Sequence, residues 1–380
     1  MIDRRLGELY PLRSRRPGFL NTSPVWALQE MFVDILQFVV GALVVWFTLR
    51  DVFDTVVVPG ESRASLRLAS RMVFAGLFGL RHTRKAGAAI PAAFAPFVLV
   101  ASFTGWMLLL IFGFGLMVAA LSGWYRPAVP TFSQSVFVAG SSLVTVGLSE
   151  TDETGPARWV NIAAGFCGLS VMTLAVTYLL QVRTSIGRRD SGILKITTAS
   201  GDPPSAVALL ERYASLGCKD ELEQVLVKGR DWCAEVLQSH ASHPFLIYFR
   251  SLETGAGWPA TLAALLDLAA VIEAIDEPKL RGKAVLLREE GTHLADELSK
   301  LLRLDIDRPT TDREVLQQVL ERAARAGYGT PKPNGLGRLA SLRECYTPTV
   351  EALSRHLGSP PAPLLPNNRS LSREELAQLP

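Results

Sequence analysis

The sequence predicts an all-α membrane protein: three transmembrane helices, a short re-entrant helix between the second and third, and an α-helical C-terminal domain. Three observations carry this. Charge is segregated, with 17 charged side chains in the 155 residues 31–185 and 46 in the 180 residues 201–380. The first half holds charge-free runs at 35–49, 86–125, 127–149 and 159–182, and the second and fourth of them reach the roughly 20 residues that cross a bilayer. Beyond residue 203, apolar positions recur at helical spacing. A wholly water-soluble chain is excluded. The balance of 39 Lys+Arg against 36 Asp+Glu carries no electrostatic footprint for nucleic acid.

The N-terminal tail, 1–30, is basic but has no apolar run behind Arg16 that would make it a secretory signal. The first span, Phe32–Leu49, lies in segment 31–60 and is closed by Arg50, Asp51, Asp54 and the Pro59-Gly60 break. Segment 61–95 is basic (Arg63, Arg67, Arg71, Arg81, Arg84, Lys85), which marks a cytoplasmic face, and Ala64–Leu80 has the spacing of an interfacial amphipathic helix. One span before a cytoplasmic segment would translocate Arg4, Arg5, Arg13, Arg15 and Arg16, against the positive-inside rule. Translation from Met31 removes the conflict, leaving only Asp34 to cross.

Segment 96–189 follows as one module. The 40-residue run 86–125 would be about 60 Å long as a helix, twice a hydrocarbon core, so only Phe97–Leu121 spans. Pro91 and Pro96 suit its entry, and Trp124 and Tyr125 its interface. The third span, Trp159–Val182, is bounded by Arg158 and by Arg183, Arg188 and Arg189, which predicts a cytoplasmic C-terminal half.

Between these spans, residues 127–149 are uncharged yet carry eight hydroxyl or amide side chains, too polar for a lipid-facing helix. Pro130-Thr131 predicts the start of a helix of about a dozen residues, and Gly147 a break into extended chain. A span, a half-helix, a Thr-Val-Gly strand and a second span form a pore-loop arrangement.

Thr145-Val146-Gly147-Leu148-Ser149-Glu150 resembles the T-V-G-Y-G-D filter of potassium channels. Asp51-Val-Phe-Asp-Thr-Val-Val-Val-Pro59 and the stretch Ala234–Ser251, containing His243-Pro-Phe-Leu-Ile-Tyr-Phe249, resemble a bacterial potassium-channel-like family. In that family one extra span precedes the two-helix pore module and a helical cytoplasmic domain follows it. The resemblance covers roughly residues 31–300. It implies a bacterial inner-membrane protein, a homotetramer with one pore loop per chain, and passage of K+ or another monovalent cation with no further cofactor. It also implies ion-binding roles for Thr145, Val146, Gly147, Leu148 and Ser149, whose carbonyls and threonine hydroxyl would replace an ion's hydration shell.

This chain departs from the pattern at two places. Leu148 stands where the family has an aromatic, and Ser149 where it has a second glycine, a substitution costing about 1 kcal/mol if φ is positive there. Glu150, Asp152 and Glu153 would concentrate cations at an outer mouth, or form a solvated acidic turn. Gly165 and Gly168 suit either a gating hinge or close helix packing, as do Gly113 and Gly115 one span earlier for packing. No span carries regularly spaced arginines, so a voltage sensor is not expected.

In the C-terminal domain, 190–357, a short linker at 190–203 with one strand is expected, then helices near 204–217, 219–240, 259–275, 279–303, 311–327 and 336–357. The proline-rich tail, 358–380, reads as mostly disordered, with a capping box at Ser372–Glu375. Cys167, Cys218, Cys233 and Cys345 have no paired spacing, and Cys233, His240 and His243 lack a fourth metal ligand. No dinucleotide fingerprint, phosphate loop or catalytic constellation occurs, so no enzyme is expected. The expected function is a cation channel. Its alternatives are a non-selective channel and a non-conducting membrane receptor or scaffold. The gating stimulus and the ligand of the C-terminal domain are not legible.

Overall fold

The structure, a computed structural model, describes residues 24–57, 94–148, 151–251, 257–306 and 312–366. It is all-α apart from one short ribbon, and four of its helices are long and apolar enough to cross a membrane. The chain divides into two compact units, 1–50 with 106–172, and 51–105 with 173–380. The basic segment 61–90, with its expected interfacial helix, and the Ser372 capping box lie outside the described residues.

The elements of the N-terminal half are α1 (Pro24–Val56), α2 (Phe94–Ala120), α3 (Phe132–Leu143) and α4 (Pro156–Ser200), with β1 (Tyr125–Arg126) paired antiparallel to β2 (Asp152–Glu153); the first unit holds α1 to residue 50, α2 from 106, α3, the ribbon and α4 to 172. Met31 lies inside α1, and Pro96 occupies the first turn of α2, where its missing N–H costs nothing. Buried stripes recur at helical spacing: Trp106, Leu110, Phe114 and Val118 on α2, and Ala157, Val160, Ala164 and Val171 on α4. Glycines set the crossings. A Cβ on Gly41 would lie 2.6 Å from the Gly113 carbonyl oxygen, and one on Gly115 would lie 3.0 Å from Val136 Cγ2. Outside these contacts α1 and α4 present wide apolar faces, among them Phe32, Leu36 and Leu43, and Trp159, Ile162, Phe166 and Leu169. Faces of that extent require lipid or further protein.

The second unit is a helical bundle of α5 (Ala206–Ser215), α6 (Leu222–Ser242), a 3-10 turn (Pro244–Tyr248), α7 (Gly257–Ala274), α8 (Pro278–Leu302), α9 (Arg313–Arg325) and α10 (Gly335–Leu357). The six expected helices are all present within a few residues. α7 is the fourth helix apolar enough to span, but α5, α8, α9 and α10 sheathe it and its window is 89% buried. Its two acids are neutralised inside the bundle. Asp267 accepts from Arg343 Nε at 2.8 Å and Tyr346 Oη at 2.6 Å, and Glu273 pairs with Arg288 and Arg338. These pairs fix α7 as the core helix of the bundle.

One expectation is corrected. The strand expected in the 190–203 linker is helix: α4 continues for 45 residues, about 68 Å, to Ser200. Its β-branched residues misled, yet Arg189, Ile193, Thr197 and Ser200 form one buried face at helical spacing, and the Thr197, Thr198 and Ser200 hydroxyls bond to carbonyls of the preceding turn. Of the proline-rich tail, residues 358–366 are described and 367–380 lie outside the described residues. Ser205 Oγ donates to the Leu364 carbonyl at 2.8 Å, and Leu364 and Leu365 pack on the core.

In this unit α4 is fastened to the His243–Phe249 stretch. Arg189, 1% exposed, donates to the carbonyls of Leu246 (3.2 Å) and Phe249 (2.9 Å) and to Asp190, whose carboxylate also accepts from Ser251 Oγ. Trp232 Nε1 donates to the Arg189 carbonyl at 3.0 Å, and the Trp232 ring lies so close to Gly192 that no Cβ fits there.

Candidate functional site: the loop after the short helix

Thr131 has extended backbone angles and caps α3: its hydroxyl oxygen accepts from Gln134 N–H, while its hydroxyl donates to the Gln134 amide oxygen. The helix then runs 12 residues, as its polar but uncharged sequence predicts. Phe112 and Phe132 meet edge to face, which helps hold α3 against α2.

The C-terminal end of α3 shapes the next four residues. Thr145 N–H bonds the Ser142 carbonyl at 3.1 Å and Val146 N–H the Ser141 carbonyl at 3.0 Å, the paired bonds of a Schellman cap. Such a cap needs a left-handed residue, and Thr145 supplies it at φ 57°. A β-branched residue there stores about 1–2 kcal/mol of backbone strain. The break from helix therefore comes two residues before Gly147, where the sequence placed it. Gly147 is itself left-handed at φ 68°, and open space surrounds its Cα, so conformation rather than room demands glycine.

Ser141 gathers the rest of the segment. Its carbonyl also lies 3.4 Å from Gly147 N, and its hydroxyl accepts from Leu148 N–H at 2.6 Å. Every N–H from Thr145 to Leu148 is thus turned back onto α3. Among the described residues, the carbonyls of Thr145, Val146, Gly147 and Leu148 accept no hydrogen bond, and all four residues are exposed. The segment thus offers four carbonyls that accept no hydrogen bond among the described residues, at the negative end of a helix dipole, an arrangement suited to a cation. Val146 and Leu148 are 55% and 62% exposed.

Gly168 seats this assembly on α4. A Cβ there would fall 1.8 Å from the Leu143 carbonyl oxygen, and one on Gly165 would fall 3.3 Å from that of Ser142. Both glycines pack closely against carbonyls at the end of α3, and α4 passes through both without a break. Gly113 and Gly115 act likewise.

The acidic positions separate. Glu153 is half-buried: its carboxylate accepts from Asn161 Nδ2 at 2.7 Å, and Asn161 Oδ1 accepts from Tyr125 Oη at 3.0 Å. Arg158 Nε donates to the Glu153 carbonyl, and Thr154 ties the ribbon to the Trp124 carbonyl. Burial, followed by the Glu153 charge, pushes the Tyr125 phenol up. Asp152 is exposed on the same ribbon, whereas Ser149 and Glu150 lie outside the described residues. Sequence reasoning missed Ser141 and Asn161. Ser141 was one of eight polar residues with no spacing rule to distinguish it, but a lone asparagine at the start of an apolar span was a usable signal for Asn161.

The other singled-out residues take structural positions. Cys233 is buried in the bundle, His240 Nδ1 donates to the Val236 carbonyl at 2.8 Å, and His243 meets the Tyr178 ring edge at 5.1 Å. Among the described residues, no three His, Cys, Asp or Glu side chains are placed to hold a metal ion. No protein-family model, curated protein or solved structure matches this chain.

Proposed function

We propose that this chain is one subunit of a homotetrameric cation channel, conducting K+ passively through the carbonyls of Thr145–Leu148. α1, α2 and α4 would be its three spans, with α3 and the segment after it re-entering between the second and third. One observation carries the reading: four consecutive residues whose N–H groups are satisfied by α3 and whose carbonyls accept no hydrogen bond among the described residues, in a chain segment between two long apolar helices. Unsatisfied carbonyls are costly at membrane depth unless an aqueous path or an ion meets them. One chain offers one such row, so a ring of oxygens needs several copies, and the apolar faces of α1 and α4 leave room for them. Asp152 would lie near the outer mouth, while Glu153 would brace the ribbon.

A second reading, a non-selective cation channel, is favoured by Leu148, which has neither an aromatic ring nor a hydroxyl to brace the segment. Purified protein in K+-loaded liposomes tests both. K+ efflux that Gly147→Val abolishes supports conduction through this segment, equal Na+ and K+ efflux supports the second reading, and no efflux of either ion refutes both.

A further inference from the structure

The exposed surface of α4 between residues 172 and 188 has two characters. Thr173, Thr177, Gln181, Thr184 and Arg188 recur at intervals of three or four residues, and at about 100° per residue they fall within about 80° of the helix circumference. Met172, Val176 and Leu179 form the neighbouring exposed face and are apolar, while Val171, Tyr178 and Val182 are buried. A helix in lipid keeps apolar side chains outward and turns polar ones towards protein or water. The polar stripe borders an open groove of about 500 Å³, between residues 177–189 of α4 and 235–243 of α6 and its cap.

The groove is close to neutral: Arg188 and Glu235 offset each other in its lining, and Asp190 neutralises the buried Arg189. What remains is mostly hydroxyl and amide, with Thr177, Gln181 and Thr184 on one wall and Gln238 and Ser242 on the other. The Thr177 hydroxyl donates to the Thr173 carbonyl at 3.0 Å, and the Thr184 hydroxyl to the Leu180 carbonyl at 2.9 Å. Both protons are used within the helix, so these oxygens have only lone pairs to offer outward. Acceptor oxygens along a neutral, polar groove suit water and the hydration shell of a cation better than they suit an anion.

We propose that the stripe and the groove form a water-filled passage that carries hydrated monovalent cations along α4. The proposal rests on the reading that α4 crosses a bilayer in a cation channel. It assigns Thr177 and Gln181 to water and Val176 to lipid, although the three are near neighbours along the helix.

The test uses the full chain in phosphatidylcholine liposomes, with one cysteine introduced at a time and a charged methanethiosulfonate reagent on both sides of the bilayer. Labelling of the introduced cysteine is followed by peptide mass spectrometry, and each rate is taken relative to that of free 2-mercaptoethanol. Thr177→Cys and Gln181→Cys should react with the trimethylammonium reagent about tenfold faster than Val176→Cys, and about fivefold faster than with the sulfonate reagent of opposite charge. Slow labelling at both polar positions would overturn the proposal. Equal rates for the two reagents would make the groove wet without favouring cations and overturn the cation assignment. Fast labelling of Val176→Cys as well would show both faces in water, removing the span and the passage together. Labelling reads access and not flux, so a chain that fails to conduct can still label, and a dry groove leaves the Thr145–Leu148 reading standing.

Discussion

Ser141 organises the candidate ion path with one carbonyl and one hydroxyl, and the hydroxyl's bond to Leu148 N–H is the shortest in the segment. Ser141→Ala removes that bond alone and should cost about 1 kcal/mol locally. The expected result is a lower K+ to Na+ flux ratio with the protein still assembled, and Ser141→Thr should restore it. A second residue-scale prediction concerns His240 in the bundle. Burial, then the nearby Arg189 charge, depresses its pKa from 6.5 to about 3. Above pH 6.5 both folded and unfolded forms are neutral there. Below it the unfolded chain binds a proton that the folded chain refuses, so stability falls as pH drops towards 3, by at most about 1.4 kcal/mol per pH unit. Urea unfolding between pH 6.5 and 5, before most carboxylates titrate, should show this slope, and His240→Phe should flatten it. An equal slope in the variant would assign the effect elsewhere.

Among the elements, α3 and α4 show what glycine placement decides. Gly168 lets the Leu143 carbonyl rest against the α4 backbone, and a methyl group there has nowhere to go. Gly168→Ala should lower the melting temperature in detergent, by an overpacking cost of about 1–3 kcal/mol, and abolish flux. Gly187→Ala, on the same helix with open space around it, should do neither. Most elements were legible because their signals are local: the Thr131 cap, the glycine crossings, and the spacing of Leu262, Leu265, Leu266 and Leu268 in α7. The extension of α4 through 190–200 was not, because its β-branched residues carry strand preference and only the packing of Ile193 and Thr197 in the bundle overrides it. Likewise nothing in the sequence marks Thr145 as left-handed. That conformation follows from where α3 ends, and helix ends are set by capping bonds that span several residues.

Across the whole molecule, a charge-poor half and a charge-rich half correspond broadly to two compact units, each with its own internal logic. In the first, polar atoms gather around one loop while apolar side chains face outwards. In the second, apolar α7 is enclosed and its acids are paired. Hydropathy alone counts α7 with the spans; only its neighbours distinguish it. The central claim is that the outward-facing side chains of the first unit meet lipid and further copies around a path for K+. Bi-ionic recordings on the purified protein in a planar bilayer, with KCl on one side and NaCl on the other, test it most directly. The account predicts a current whose reversal potential is set by the K+ gradient and which Gly147→Val removes. A silent bilayer, or a current untouched by that substitution, would contradict it.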